Sequence, residues 1–280
     1  MFDYDPTVTT LRHRALPTGD DLPDAQRRSE TLAAKGYPGR KRGDVQFSRG
    51  TVQHAGSGLW LEASLGPGNG EHRRDYERAI QGVTAWCKRT GNTAATIAVR
   101  TDGGAGGGMP AMMACHEAGL HFVTRLARYD LLDNETAQRH LAGATWFDVE
   151  DSLSGPKREA TELGTFELHA SKKCLRETGE PYPSLDVRVI VSRTPITENA
   201  KKRGAGLERD GMCYELFATR LPADAWPAPE TVTFYYGRVG QENRFGQEDR
   251  SFGLDRIFSY SLPGQHLATL VGLFTWNLSI

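Results

Sequence analysis

The sequence has no long uninterrupted apolar run, no paired-cysteine motif and no excess of charge of one sign. Because it also lacks a charged-then-apolar start, we predict neither a membrane span nor a signal peptide. The four cysteines include no Cys-x-x-Cys pair, so reduced thiols are expected rather than a metal site or disulfides. The net charge of -1 argues against wholesale coating of DNA, although a balanced total can hide a local basic patch. These features predict a cytoplasmic protein without a membrane partner.

Apolar periodicity, broken by glycine and proline, predicts an α/β fold in the first half of the chain. The 280 residues can form one large domain or two smaller ones. An amphipathic helix is predicted from the spacing of Tyr76, Ile80, Val83 and Cys87. The other predicted elements are strands at 1–5, 45–54, 59–65, 96–101 and 121–126, with a helix between Pro110 and Gly119. This order indicates a mixed sheet with helices packed on its faces.

The character of the sequence changes between residues 148 and 230. Short β-like runs at 166–169, 187–192 and 213–218 are separated by Gly, Pro and Lys-Lys stretches. We therefore predict a β-rich insertion at 148–230, between a first core part at 1–147 and C-terminal helices at 231–280. The last helix carries Leu267, Leu270, Val271, Phe274 and Leu278 on one face.

Three carboxylates stand out because of the elements that carry them. Asp5 is predicted at the end of the first strand, Asp102 at the end of a later strand and Glu242 on a late helix. Strand ends open into the crevices where α/β proteins place their sites, and Mg²⁺ binds converging carboxylates. Ordinary solvated acids are the alternative interpretation. Asp3 shares the face of Asp5 and is a reserve candidate for metal binding.

The late helix has a regular spacing of polar residues. Tyr235, Arg238, Glu242 and Asp249 are 3, 4 and 7 residues apart, which predicts one helical face. Arg238 is then placed to pair with Glu242 or with a phosphate beside it. A solvated face with a routine ion pair is the alternative, and nearby glycines could also break the helix.

These residues resemble motifs of the DDE transposases of bacterial insertion sequences. Tyr235-x2-Arg238-x3-Glu242 resembles the opening of the Tyr-x2-Arg-x3-Glu-x6-Lys signature of one large group of that family. Asp5-Pro6-Thr7 resembles the Asp-x-Thr of the first catalytic strand, and residues 100–103 resemble the run that carries the second Asp. Further similarities lie at 36–43, 66–70, 249–256 and 276–278, so the resemblance extends over nearly the whole chain.

The resemblance implies an RNase H-like mixed sheet flanked by helices, with the β-rich insertion before the last catalytic helix. It implies that Asp5, Asp102 and Glu242 are catalytic and bind two Mg²⁺ or Mn²⁺ ions. Water would cut DNA at the element end, and the freed 3′-hydroxyl would attack target DNA. The implied DNA-binding residues are Tyr235, Arg238, Arg40, Lys41 and Arg42, although the basic run at 40–42 is equally typical of a solvated loop. Family members commonly act as dimers, so the resemblance also points to a homodimer on paired element ends.

Two features depart from the family pattern. Asp249 stands where the signature has Lys, and Arg244 or Arg250 is the candidate substitute. The chain also starts at the first predicted catalytic strand, so we expect it to lack the N-terminal domain that binds the element ends. A catalytically inactive remnant that at most binds DNA is therefore the main alternative, and a nuclease of the same fold is another. The Gly-rich run at 103–108 could bind a nucleotide phosphate, but it lacks the Lys-Ser/Thr of a P-loop, and a mobile loop beside Asp102 is the preferred interpretation.

Overall fold

The structure is a computed structural model, and its residues fall into two compact units. It describes residues 1–10, 34–35, 45–67, 73–150, 157–172, 174–176, 178–196, 206–238, 246–247, 249–254, 256–259 and 261–280. The first unit comprises Met1–Asn92 with Gly240–Ile280, and the second comprises Thr93–Val239. Strands and helices occur in both units, and strand pairing is mixed but largely antiparallel, so the predicted α/β class is confirmed. Among the described residues, no helix is long and apolar enough to cross a membrane.

The first unit is built on an antiparallel set of strands. Its strands are β1 (Phe2–Thr10), β2 (Ala34–Lys35), β3 (Val45–His54) and β4 (Trp60–Pro67). The central strand β3 pairs antiparallel with β1 and β4, and its first two residues pair with β2. The strands predicted at 45–54 and 59–65 are therefore confirmed, whereas β1 is longer than predicted. Because β1 pairs with β3 along its whole length, Asp5 lies in mid-strand opposite Thr51 and not at a strand end.

Two helices cover the strands of the first unit. Helix α1 (Arg73–Thr90) buries the four predicted apolar residues at 76, 80, 83 and 87, since their spacing of three or four residues keeps them on one face. Its Tyr76 and Trp86 rings pack edge-on against Tyr4 and Phe2, at centroid distances of 5.0 and 4.9 Å. The final helix (Leu262–Ser279) packs on β4 through Leu273 and Trp276. Its predicted apolar face, from Leu267 to Leu278, is exposed.

The second unit contains a mixed sheet. Its strands are β5 (Ala98–Thr101), β6 (His121–Leu126), β7 (Phe147–Asp148), β8 (Glu159–Leu168), β9 (Leu185–Pro195), β10 (Leu207–Arg209) and β11 (Met212–Thr219). They are ordered β5-β6-β11-β9-β8-β7, with β10 on β11, and only β5 and β6 are parallel to each other. The β-like runs predicted at 166–169, 187–192 and 213–218 fall largely on β8, β9 and β11. The domain limits at 147 and 230 stay a prediction.

Four helices accompany this sheet. They are α2 (Gly103–Gly106), α3 (Met109–Glu117), α4 (Glu135–Ala142) and α5 (Ala228–Tyr236); the final helix of the chain is α6. Helix α5 lies over one face of the sheet, where Val232 and Tyr235 pack with Val123, Ile190 and Phe217. Gly119 has φ of +70° just after α3, as its predicted role in ending that helix requires.

The first four residues of the Gly-rich run after Asp102 form the short helix α2 and bends follow at Gly107 and Gly108, so the predicted loop is wrong for Gly103–Gly106. Gly103 and Gly107 lie so close to β6 that no side chain fits. A Cβ on Gly103 would lie 2.8 Å from the Arg125 carbonyl oxygen, and one on Gly107 would lie 2.7 Å from the same atom. Glycine therefore permits the backbone of this run to contact β6 directly.

Substitution of Gly107 by Ala should destabilise the second unit by about 1–3 kcal/mol, because the added methyl overlaps two backbone oxygens. Its Cβ would lie 2.6 Å from the Gly103 oxygen as well as 2.7 Å from that of Arg125. Gly143→Ala is the matched control, since a Cβ there meets nothing within 4 Å. Denaturant unfolding of both variants gives the comparison. Equal stability of the two variants would show that the run does not need to approach β6.

Candidate functional site

Asp102 is the predicted catalytic acid whose surroundings are described best. It follows β5 directly, as predicted, and occupies the N-cap position of α2. Tyr235 and Arg238 belong to the same unit. Asp5 lies in the first unit, while Glu242 and the basic run at 40–42 lie outside the described residues.

Tyr235 and Arg238 lie beside Asp102 although they are far from it in sequence. The Tyr235 hydroxyl lies 3.5 Å from Oδ1 of Asp102, across a separation of 133 residues. Nη2 of Arg238 lies 4.0 Å from the same oxygen. A third group, Nη2 of Arg125, lies 3.4 Å from it. The structure therefore brings together three of the predicted site residues and adds an arginine from β6.

Strand register explains the position of Arg125. Strands β5 and β6 are parallel with Thr101 paired to Thr124, so the residues that follow these two lie side by side. Those residues are Asp102 and Arg125. The contact between them is thus set by the sheet itself, and by the glycines that keep α2 close to β6.

The end of helix α5 places Arg238. A single helical face through Tyr235, Arg238 and Asp249 was predicted, but α5 ends at Tyr236 and Gly237 is its C-cap, so that prediction is wrong. The physical reason is an arginine at the helix end: Nη1 of Arg100 donates to the Phe234 carbonyl at 2.5 Å. A Cβ on Gly237 would lie 2.6 Å from that same nitrogen, so a larger residue at this position would require the Arg100 guanidinium to shift.

Four residues of alternating charge form a row across one face of the sheet, and we call Asp102, Arg125, Glu215 and Arg158 the charged row. Nη1 of Arg125 lies 3.2 Å from Oε1 of Glu215, and Nη1 of Arg158 lies 2.5 Å from Oε2 of Glu215. Glu215 and Arg125 share a face because Phe217, two residues from Glu215, pairs with Arg125. Side-chain exposure falls along the row from 35% at Asp102 to 28%, 10% and 6%. The row therefore runs from an open end at Asp102 to a buried end at Arg158.

Glu215 is ionised inside the unit. Burial raises the pKa of Glu215, but the Arg158 guanidinium and the Tyr236 hydroxyl, which donates to Oε2 at 2.6 Å, outweigh burial and bring the pKa below its ordinary value. Arg158 also stacks over the Tyr236 ring, with its guanidinium carbon 4.3 Å from the ring centroid. Burial raises the pKa of Tyr235 to about 12, so this hydroxyl stays protonated at neutral pH and can donate a hydrogen bond.

Arg125, Glu215 and Arg158 are not among the residues predicted from sequence. A usable signal exists for two of them, because each is the one Asp, Glu, Lys or Arg residue of its strand. Arg125 interrupts β6, and Glu215 interrupts β11. Charged residues are rarely buried unless they are paired, so such interruptions indicate a partner elsewhere in the fold.

A divalent cation at Asp102 would meet a carboxylate flanked by the Arg125 and Arg238 guanidiniums. The contacts of Arg125, Tyr235 and Arg238 are all made with Oδ1 of Asp102. The other oxygen, Oδ2, lies beside Gly104, which has no side chain. Carboxylate oxygen is the donor that Mg²⁺ and Mn²⁺ accept, so Asp102 fits the role of one ligand. The described part of the chain contains no group of three or more His, Cys, Asp or Glu side chains placed to hold a metal.

The first unit shows what Asp249 does at the position where the signature has Lys. Arg49 on β3 is 1% exposed, and its Nη1 donates to the Leu254 carbonyl at 3.1 Å. Its Nη2 lies 3.4 Å from Oδ1 of Asp249. Asp249 is therefore the acidic partner of a buried guanidinium. A lysine in its place would bring a second cation beside Arg49.

Comparison with protein-family models finds no match for this chain, and comparison with curated proteins finds none either. Function is therefore inferred from the residues around Asp102.

The lowered pKa of Glu215 predicts a pH-dependent stability. An unfolded-chain glutamate has a pKa of about 4.3, so the contribution of Glu215 is complete above that pH and is lost as the pH falls through the lower folded pKa. Glu215→Gln should cost about 3 kcal/mol at pH 7, because it removes the carboxylate that the buried Arg158 guanidinium contacts. We expect this difference to narrow below about pH 4, in urea titrations at a series of pH values. A difference that stays constant down to pH 3 would contradict the ionised state of Glu215.

Replacement of Asp249 by Lys should destabilise the first unit by about 1–3 kcal/mol, because it replaces a carboxylate that the buried Arg49 contacts by a like charge. Asp249→Asn should be milder, since it removes the attraction without adding repulsion. Asp224→Lys makes the same charge change at an exposed position of the second unit and serves as the control. Thermal unfolding ranks the three variants. A lysine at 249 that is no worse than asparagine would mean that the Arg49 pair is unimportant.

Proposed function

We propose that the chain is a catalytic domain of a DDE transposase, with an RNase H-like core, which cuts DNA at insertion-sequence ends and joins the ends to target DNA. One observation carries the proposal. Tyr235 and Arg238, which match the sequence signature, lie beside Asp102, which matches the second catalytic acid. The resemblance rests on separate stretches of sequence, and contacts across more than 130 residues are an independent reason to group them.

The order of elements supports the RNase H-like part of the proposal. In the first unit the antiparallel strands β1, β3 and β4 precede helix α1. The second unit opens with β5, helices α2 and α3, and the parallel strand β6. Apart from the two-residue strand β2 and the one-turn helix α2, this is the predicted order of three strands, a helix, a strand, a helix and a strand, with the second acid immediately after β5.

Each residue at Asp102 has a role that follows from its chemistry. Asp102, with Asp5 and Glu242, would hold Mg²⁺ or Mn²⁺, which when bound activate the attacking oxygen and stabilise the leaving oxygen. The Arg238 guanidinium matches the geometry of a phosphate group and would bind the DNA backbone near the cut. Tyr235 would donate a hydrogen bond from its hydroxyl to a phosphate oxygen, because its raised pKa keeps it protonated. The proposed partners are DNA at the element ends and at the target, with two copies of the chain acting on paired ends.

The test is nicking of supercoiled plasmid by the full chain in the presence of Mg²⁺ or Mn²⁺. We expect metal-dependent cleavage that falls by at least about 10²-fold in Glu242→Gln and in Asp102→Asn, because each removes a charged group at the reacting phosphate. Glu230→Gln is the matched control, since Glu230 is an exposed acid in the first turn of α5.

The outcomes separate the candidate functions. Absence of cleavage by the folded wild-type chain, with or without metal, would favour an inactive remnant. Cleavage without joining of a supplied 3′-hydroxyl end to target DNA would favour a nuclease. Cleavage that survives both substitutions would remove Asp102 and Glu242 from the mechanism.

A further inference from the structure

Helix α6 has a buried side and an exposed side, and the exposed side is apolar. We call this exposed side the outer stripe; its residues, each between 39% and 73% exposed, are Leu267, Leu270, Val271, Phe274 and Leu278. At 3.6 residues per turn, these five positions fall on one side of the helix. The buried residues of α6 lie on the opposite side, and they are Gln265, Thr269, Leu273 and Trp276. The helix is therefore packed on one side only.

Hydrogen bonds to β4 fix the rotation of α6 about its own axis. The Asn277 amide accepts from the Trp60 N–H at 2.8 Å and donates to the Trp60 carbonyl at 2.7 Å. Near the other end of the helix, Nε2 of His266 lies 2.7 Å from the Ala63 carbonyl oxygen. Because side chains at both ends of α6 bind the strand, the helix cannot turn its outer stripe onto β4. The outer stripe is a fixed part of the surface of the first unit.

The outer stripe is large enough to form a specific interface. Its side chains present roughly 500 Å² of apolar surface, on the usual areas of such residues. The largest apolar patch on a typical monomer is about 300–600 Å², so the stripe lies near the upper end of that range. Two stripes packed face to face would bury roughly 1,000 Å², the size at which specific interfaces begin.

The spacing within the outer stripe is that of a two-stranded coiled coil. Leu267, Val271, Phe274 and Leu278 are 4, 3 and 4 residues apart, which places them at successive d, a, d and a positions of two heptads. A β-branched residue at an a position, as at Val271, with leucine at a d position, as at Leu267, favours two strands. The stripe is therefore shaped to receive another helix of the same kind.

The absence of charge on α6 indicates which helix that is. Leu262–Ser279 contains no Asp, Glu, Lys or Arg, so no charge on it would select a charged partner or attract it to an anionic membrane surface. Interfaces between different proteins are about as polar as the rest of the surface, whereas homodimer interfaces are more apolar. A second copy of α6 offers the same spacing and the same lack of charge.

We infer that the outer stripe of α6 is the interface of a homodimer, in which it packs against the outer stripe of a second copy of this chain. Such a contact is symmetric, since the same residues contribute from both copies. The inference goes beyond the proposed function, because this pairing needs neither DNA nor metal.

The test is sedimentation of the full chain over a range of concentrations, without DNA or divalent metal. Wild type should sediment as a particle of twice the chain mass of 30.9 kDa. Phe274→Glu should weaken dimerisation by about 30-fold or more, which is the range for residues at the centre of an interface, because it buries a charge opposite its own copy. Phe147→Glu is the matched control, since Phe147 is a similarly exposed phenylalanine of the second unit, and it should leave the dimer intact.

Disulfide cross-linking gives a second measurement that does not depend on a disruptive substitution. Leu267→Cys and Leu278→Cys place a thiol at either end of the outer stripe. If the two helices are parallel, mild oxidation should join each variant to itself. If they are antiparallel, it should join the two variants only when they are mixed. Wild type oxidised in the same way shows any cross-linking by its own four cysteines.

Failure of the inference differs from failure of the proposed function. A wild-type chain that stays monomeric at about 100 μM would overturn the inference, whether its outer stripe is covered by another part of the chain or by a different partner. A dimer that Phe274→Glu leaves intact, or one in which neither cysteine variant is cross-linked alone or in the mixture, would place the interface elsewhere. A monomer that still cuts plasmid DNA would overturn this inference alone, and a dimer that does not cut would count against the proposed function alone.

Discussion

A buried guanidinium must be matched by oxygen atoms, and this requirement organises both units. Removal from water penalises a charge heavily unless a partner replaces the lost hydration. In the second unit Arg158, which precedes β8, donates to Glu215 on β11 and to Ser192 on β9, and Glu215 also accepts a hydrogen bond from Tyr236 on α5. In the first unit the partners of Arg49 are Asp249 and the Leu254 carbonyl, more than 190 residues along the chain. These polar contacts fix positions that apolar packing alone would leave adjustable.

The environment of Asp102 follows from strand pairing and from how one helix ends. Parallel pairing of β5 with β6 places Arg125 beside Asp102. The α5 helix ends near the point where Arg100 donates a hydrogen bond to the Phe234 carbonyl. Tyr235 is held between Phe217 and Tyr236, whose rings lie 5.0 and 5.4 Å away. These two rings hold the phenol, and its hydroxyl lies 3.5 Å from the Asp102 carboxylate. Arg125 and Tyr235 are thus held beside Asp102 by a strand and a helix, while Arg238 lies in the turn that follows α5.

Local patterns in the sequence predicted much of this architecture. The strands at 45–54 and 121–126 and the buried face of α1 were predictable because periodicity and glycine or proline breaks are properties of neighbouring residues. The position of Asp102 at a strand end followed in the same way. The contacts of Arg125 with Glu215 and of Arg49 with Asp249 were not predictable, since they join distant segments through strand register. The end of α5 was missed because it depends on Arg100, which reaches Gly237 from another strand. Likewise, the full length of β1 depends on its pairing with β3.

The pairing of Arg49 with Asp249 means that the substitutions tolerated at one of these positions depend on the residue at the other. Because β3 buries the guanidinium almost completely, neither residue is free to change sign while the other stays as it is. Related chains that carry lysine at the position of Asp249 are then expected to carry a residue other than arginine or lysine at the position of Arg49. We therefore expect the two sites to change together, so that the residue at one site predicts the residue at the other.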